Sequence, residues 1–388
     1  MIVLYILAFV TIVQGIISLI DGVRAARYMR HAGRPNSADT DAKPSIHVFC
    51  PCKGADHEFE ENIRSILDQD LRPAAVHFIV DSRNDPAYAR LTKAGVQNIV
   101  VAGPAQDCGQ KVHNLRYAIE RVAAADIYVF CDSDARYPRH WLRSLTGPLT
   151  QGVASVASGY RWYVASAFHI PTLLRSAWNA SVVSMLGDHD RNFAWGGSTA
   201  IRRETFERIG VLDAWRGSVS DDYAITRAAQ RAGLRIKFVP DCLIPSFGDC
   251  SFHELLEFTT RQIIITRVYH ARMWWIGFVA QATFAATFAA LTIAMFSNAI
   301  CAIAWVALYA LAAAKSAIRF NAVGSVLRDP KLTRFGWFHV VSSPVVAYLY
   351  LYNMIRSALT TDIEWRQIQY TLISPNETRV RRSSASAS

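Results

Sequence analysis

Ile127-Tyr128-Val129-Phe130-Cys131-Asp132-Ser133-Asp134 is the stretch on which the fold turns. Five residues of apolar character in a row, with no alternating polar face, predict a strand buried on both sides. Such strands belong to parallel sheets covered by helices. The acidic triplet behind it then falls at the carboxyl end of a strand, where open α/β sheets gather their ligands. Two carboxylates there suit a hard divalent cation, Mg2+ or Mn2+, with a diphosphate supplying further oxygen ligands. Alone, the triplet would mean a solvated turn; the strand in front of it changes the reading.

Outward from this point, short apolar runs at 46–51, 76–81 and 98–101 predict further strands, and 60–69 and 111–124 predict helices. Their alternation predicts an α/β domain over 45–252 with a mainly parallel sheet and flanking helices. Asp81 also ends an apolar strand, so Asp81 or Asp85 offers an acceptor to the base or ribose of a nucleotide at the same crevice. A plain Asn-Pro turn is the alternative. Ser220-Asp221-Asp222-Tyr223 opens a helical stretch at 224–232. Asp221 reads as a helix cap, and Asp222 as either a cap or a general base able to activate a hydroxyl. Ala194-Trp195-Gly196-Gly197-Ser198 joins a flat ring to two residues that permit close backbone approach, suited to a sugar or acceptor edge or to a structural turn.

The chain has 388 residues, is 52% hydrophobic and has a mean hydropathy of +0.14, more apolar than a water-soluble enzyme needs. Residues 1–21 read as a membrane anchor, with an uncharged apolar run from Ile2 to Ile20 long enough to cross ~30 Å of hydrocarbon. Arg24, Arg27, Arg30 and Arg34 follow in a basic linker at 22–44, which places the next domain in the cytoplasm. Residues 253–275, with Arg261, Arg267, Arg272 and Trp274-Trp275, predict an interfacial amphipathic helix. Arg261, Gln262 and Arg267 on it either neutralise a departing diphosphate or snorkel to lipid headgroups. Apolar segments fill 276–357: a hairpin at 276–296 and 299–314, then 340–355, which Ser342-Ser343-Pro344 breaks and which either crosses or re-enters. The tail at 358–388 is expected to be cytoplasmic, and disordered after Thr378. The net charge of +10 is spread along the chain, favouring anionic lipid and phosphate over nucleic acid. Seven cysteines without a CxxC pair read as reduced thiols, not as a disulfide framework or a zinc site.

Taken together, Pro51-Cys52-Lys53-Gly54, Asn84-Asp85-Pro86-Ala87, Lys111 to Leu115, Cys131-Asp132-Ser133-Asp134, Gly196-Gly197 and Asp221-Asp222-Tyr223 resemble the inverting nucleotide-sugar glycosyltransferases of GT-A fold. More closely, their order resembles the ceramide glucosyltransferase family, glycosyltransferase family 21, and its bacterial lipid-glycosylating relatives. The resemblance covers nearly the whole chain. It implies a donor site at Lys53, Asp81, Asp85, Lys111 and Asp132, with Mg2+ or Mn2+ at Asp132 and Asp134. Asp222 would be the catalytic base. Trp195, Gly196, Gly197, Asp221, Arg261, Gln262, Arg267, Trp365 and Arg366 would face the acceptor or product. One motif departs: the family has Gln or Arg followed three residues later by Arg-Trp, which the run from Arg261 to Arg267 lacks. Trp365-Arg366 in the tail looks like the tryptophan-arginine motif of other membrane glycosyltransferases.

The expected activity is inverting transfer of a sugar, from a UDP-sugar, to the hydroxyl of a membrane lipid, ceramide being the family's precedent. A hopanoid or diacylglycerol is an open alternative acceptor. A processive polysaccharide synthase would need more spans around a polar channel, and an inactive membrane scaffold would have no need of every acidic residue.

Overall fold

The computed structural model describes residues 1–31, 44–56 and 58–382, so most of the basic linker, including Arg34, lies outside the described residues. The chain divides into two units. One comprises 44–162, 188–247 and 361–382; the other comprises 1–31, 163–187 and 248–360.

The first unit is built on strands β1 (Ile46–Pro51), β2 (Ala75–Val80), β3 (Ile99–Val101), β4 (Ile127–Cys131), β5 (Val156–Tyr163), β6 (Ser198–Arg202) and β7 (Ile236–Ser246). They form one seven-stranded sheet in the order β3-β2-β1-β4-β6-β5-β7. The pairs β1–β2, β1–β4 and β2–β3 are parallel, and β6 runs antiparallel to both β4 and β5. The unbroken apolar run of β4 has its explanation here. Ile127, Val129 and Cys131 join one core cluster, Tyr128 and Phe130 the other, on opposite faces of the sheet. Phe130 packs edge-on to Trp215 at a centroid distance of 5.4 Å and is fully buried. Burying each such side chain contributes about 1.5–3 kcal/mol.

Because β1, β2 and β4 are parallel neighbours, Lys53, Asp81 and Asp132 emerge at one edge of the sheet. Strand β6 enters from that same edge, since Cys131 pairs with Ser198 in antiparallel register. The turn Trp195-Gly196-Gly197 is thereby set beside Asp132.

A second, three-stranded antiparallel sheet closes this unit: β8 (Asp362–Trp365), β9 (Ile368–Ser374) and β10 (Glu377–Arg382). The tail is therefore folded to Arg382, and the expectation of disorder after Thr378 is corrected for residues 379–382. Residues 383–388 lie outside the described residues. Alternation drives the sheet: Ile363, Ile368, Tyr370, Leu372 and Thr378 are buried, while their neighbours along the strands are more exposed. Gln110 N–H donates to Tyr370 Oη at 3.2 Å, and Thr378 Oγ1 donates to the Gly217 carbonyl at 2.7 Å.

The second unit is helical. Ile2–His31, Ala271–Ala294 and Ala299–Leu327 are each long and apolar enough to cross a membrane. Thr11 and Thr287 hydroxyls meet at 3.1 Å, and Gln14 donates to the Ala280 carbonyl at 3.2 Å. Outward-facing Phe9, Ile293, Phe296 and Ile303 are exposed, as a hydrocarbon solvent requires. The first helix runs ten residues past the expected end of the anchor, to His31. The expected interfacial helix is shorter. It spans Phe252–Tyr269, started by a Ser251/Glu254 capping box, and the chain breaks at His270, whose side chain caps the next helix through Met273 N–H. Trp274 and Trp275 thus belong to the following long helix. At Ser342-Ser343-Pro344 the segments Pro330–Val341 and Ser343–Leu359 meet at an 80° bend.

Candidate active site

At the strand-end edge, two networks of charge stand on the sheet. The first joins β1 to β2. Lys53 Nζ lies 2.6 Å from Asp81 Oδ2 and 3.0 Å from Asp85 Oδ2. Asp85 also caps the helix Pro86–Lys93 by accepting from Ala87 N–H at 2.9 Å, and accepts from Gly54 N–H at 2.9 Å. Both acids are buried. The turn reading and the acidic-site reading of Asp85 thus describe one side chain.

The second network joins β4 to the helices Gln110–Ile119 and Asp221–Arg231. Lys111 Nζ lies 2.8 Å from Asp132 Oδ1 and 3.2 Å from Asp221 Oδ1. Arg161, on β5, places one nitrogen 2.9 Å from Asp132 Oδ2 and 2.6 Å from Asp134 Oδ1. Burial opposes charge on Asp132, yet Lys111 and Arg161 hold its carboxyl below the usual carboxylate range. Burial equally opposes charge on Lys111, and Asp132, Asp221 and Asp222 outweigh it, keeping the ammonium above its ordinary value. For Asp221 burial prevails: with Asp222 and Asp132 adding repulsion, and despite Lys111, its carboxyl is pushed up to about 6.

The helix cap is Ser220, whose hydroxyl accepts from Tyr223 N–H at 3.2 Å; the cap reading of Asp221 is therefore corrected. Asp221 is buried with Oδ2 lacking a hydrogen-bond partner. Asp222 is only partly buried. Its Oδ1 accepts from Tyr223 N–H at 2.8 Å and from the Ser220 hydroxyl, and its Oδ2 accepts from Gly196 N–H at 3.3 Å.

Gly196 and Gly197 are where the two acidic segments meet. A Cβ on Gly196 would collide with Asp221 and come within 2.6 Å of Lys111 Nζ. A Cβ on Gly197 would strike the Trp195 ring and come within 2.6 Å of Asp132 Oδ2. Tyr137, fully enclosed, fastens this corner by accepting from Asp132 N–H at 2.9 Å and donating to the Gly197 carbonyl at 2.7 Å. The Trp195 ring stacks under the Arg161 guanidinium at 5.2 Å.

The donor set fits a small hard cation. Asp132 and Asp134 already converge on a single cationic nitrogen, and both offer carboxylate oxygens. Among the described residues no group of three or more His, Cys, Asp or Glu is arranged to hold a metal. An ion such as Mg2+ or Mn2+ retains water and shares phosphate oxygens, and so can be held by one or two carboxylates. All seven cysteines are buried free thiols.

Of the remaining expected site residues, Arg261, Gln262 and Arg267 lie in the helical unit on Phe252–Tyr269. Arg261 stands over the Phe258 ring, and Arg267 donates to the Thr360 carbonyl at 3.1 Å. Trp365 and Arg366 belong instead to the sheet-bearing unit, at the β8–β9 turn. Arg366 pairs with Asp56, and although burial opposes its charge, Asp56, Asp134 and Asp85 keep it above its ordinary value. It therefore keeps company with the acids Asp56, Asp85 and Asp134 at the strand ends.

Sequence reasoning missed Arg161, Tyr137, Gln110 and Arg382. For Arg161 a signal existed: a lone arginine within Val156–Tyr163, where every residue is buried, has to be paired.

The profile of glycosyl transferase family 21 matches residues 3–377. Among solved structures, a mannosyltransferase from Pyrobaculum calidifontis, in complex with GDP-Man and Mn2+, is 17% identical. The alignment covers 90% of this chain and 99% of that one, with a TM-score of 0.55. A glucosyl-3-phosphoglycerate synthase from Mycobacterium tuberculosis, in complex with Mn2+ and uridine-diphosphate-glucose, is 19% identical. That alignment covers 64% of this chain and 81% of that one, with a TM-score of 0.38. The expected architecture, an α/β sheet of GT-A type joined to long apolar helices, is the observed one. With a match running from the first helix to the last strand, this chain belongs to glycosyl transferase family 21.

Proposed function

We propose that this glycosyltransferase moves a sugar from a nucleotide-sugar, a UDP-sugar, to the hydroxyl of a membrane lipid in one inverting displacement. Ceramide is the acceptor to try first. The observation that carries the reading is the convergence of Asp132, Asp134, Lys111, Asp221 and Asp222 around Gly196-Gly197 at the carboxyl edge of the sheet. The three long apolar helices supply the reason for a lipid acceptor.

Lys53, Asp81 and Asp85 would bind the nucleoside end of the donor, and Lys111 would hold Asp132 and Asp221 in register. Bound Mg2+ or Mn2+, held by Asp132 and Asp134, would supply Lewis acidity toward the leaving diphosphate. Asp222, the more exposed of the acidic pair, takes the proton from the acceptor hydroxyl. The hydroxyl oxygen then bonds to the anomeric carbon as the bond to the nucleoside diphosphate breaks. Attack from the opposite side inverts the anomeric centre.

Topology supports a single compartment for the site and the tail. The tail sheet bonds to the catalytic sheet's own unit through Tyr370 and Thr378, so an even number of crossings separates Phe247 from Thr361. Two spans, Ala271–Ala294 and Ala299–Leu327, meet that condition if the bent segment re-enters without crossing. Arg24, Arg27 and Arg30, near the end of the first helix, favour a cytoplasmic compartment by the positive-inside tendency.

The test is a screen of nucleotide sugars against membrane lipid fractions with purified protein and Mn2+. A glycolipid of inverted anomeric configuration supports the reading, and a long polymer or a retained configuration overturns it.

A further inference from the structure

The alternation of β10 turns its arginines two ways. Arg379 and Arg381 are exposed, whereas Thr378 and Arg382 point inward. Arg382 reaches the donor-side acids: its guanidinium donates to Gln110 Oε1, and Nη1 lies 3.8 Å from Asp81 Oδ2. Gln110 begins the helix that carries Lys111, and it also accepts from Ala105 N–H at 2.8 Å and donates through Nε2 to Asn114 Oδ1 at 2.7 Å. The β9 residue Tyr370 accepts from Gln110 N–H at 3.2 Å, so two strands of the small sheet grip one helix start. Within this gripped pair, Asp81 Oδ1 and Arg382 Nε are both buried with no hydrogen-bond partner. A buried acceptor and a buried donor left without partners forfeit the hydrogen bonds they had to water, and fixed polar groups in that state point to a ligand.

Resting on the donor-site reading above, we propose that the C-terminal sheet is a wall of the donor pocket and that Arg382 is a binding residue for the nucleoside diphosphate. Its guanidinium works beside Asp81, a donor and an acceptor side by side. A segment distant in sequence thus completes the site, and donor binding secures the docked tail by mass action.

The experiment uses the full chain in detergent with UDP and Mn2+, and GDP and Mn2+ as a second probe, read by calorimetry. R382Q is expected to weaken the preferred nucleotide roughly tenfold, as loss of a charge-assisted contact does. R382K should fall between R382Q and the parent. R379Q and R381Q make the same charge change on the outer face and should stay within about twofold. Hydrogen exchange supplies an independent reading: amides of Ile368–Ser374 and Glu377–Arg382 should gain protection when the nucleotide binds. Equal affinity in R382Q and the parent, or a tail indifferent to nucleotide, overturns the proposal while leaving the donor reading standing. A loss in R382Q that appears only as a lower melting temperature without nucleotide also overturns it, since that marks a structural role. Binding of neither nucleotide by the parent protein removes the donor reading itself, and this proposal with it.

Discussion

The ammonium of Lys111 lies 2.8 Å from Asp132 Oδ1, binding the start of a helix to the end of the central strand β4. The same nitrogen reaches Asp221 at 3.2 Å, so one cation serves two acids from different segments. Lys111→Met would leave both carboxylates without it. Breaking a buried pair from one side costs about 3–5 kcal/mol. Uptake of a proton by Asp221 brings the expected loss to the low end, a fall of about 3 kcal/mol in stability by chemical denaturation. A change under about 0.5 kcal/mol would show that the network is not a structural tie.

Asp221 has a pH signature of its own. Its carboxyl is pushed up to about 6 in the fold by burial, whereas unfolded aspartate titrates near about 4. The folded chain therefore binds more protons between these values, and this group's contribution to stability is present below about pH 4 and lost as pH rises through about 6. Asp221→Asn removes the group. The difference in melting temperature, mutant minus parent, should rise between pH 4.5 and 7. A flat difference would mean that Asp221 titrates normally.

Gly197 tests how closely the turn must approach the acids. In Gly197→Ala the new methyl would stand within 2.6 Å of Asp132 Oδ2 and would strike Trp195. Turnover should fall by roughly a hundredfold, on the scale of one misplaced charge contact in an active site, while the fold persists. Mn2+ affinity, measured by electron paramagnetic resonance, should fall with it. Unchanged affinity would remove Gly197 from the metal corner.

Much of this site was legible in the amino-acid sequence because parallel strands carry their chemistry at their ends. Asp81 and Asp132 could be placed from the apolar runs before them, and β1 and β4 have the expected bounds. Arg161 was harder, since the antiparallel strands β5 and β6 that bring it to Asp132 have no acidic triplet to announce them. The tail was hidden by its composition. Its arginines and serines read as disorder, while the period-two burial of Thr378 and Arg382 is set by the domain they pack on. Its hairpin turn, Arg366-Gln367, takes positive φ angles of 53° and 63° without the glycine or asparagine that usually signals such a turn. The expected interfacial helix, 253–275, outruns the observed Phe252–Tyr269 because nothing in its apolar pattern marks His270 as a break. That break depends on one imidazole accepting from Met273 N–H at 3.3 Å.

Chelation separates the two acids of the triplet from their scaffold. EDTA should abolish turnover, and Mn2+ or Mg2+ should restore it in the parent. Asp134→Asn is expected to need roughly tenfold or more metal for half-maximal rate, since one of two carboxylate ligands is weakened. Turnover indifferent to chelator would contradict the assignment of Asp132 and Asp134.

The most direct test of the central claim is nucleoside diphosphate release by the parent protein and by Asp222→Asn, with donor, Mn2+ and lipid acceptor present. Lipid-dependent release in the parent that falls by roughly a hundredfold or more in the mutant, with donor affinity unchanged, is the expected result for a general base. Equal release by the two proteins would contradict it.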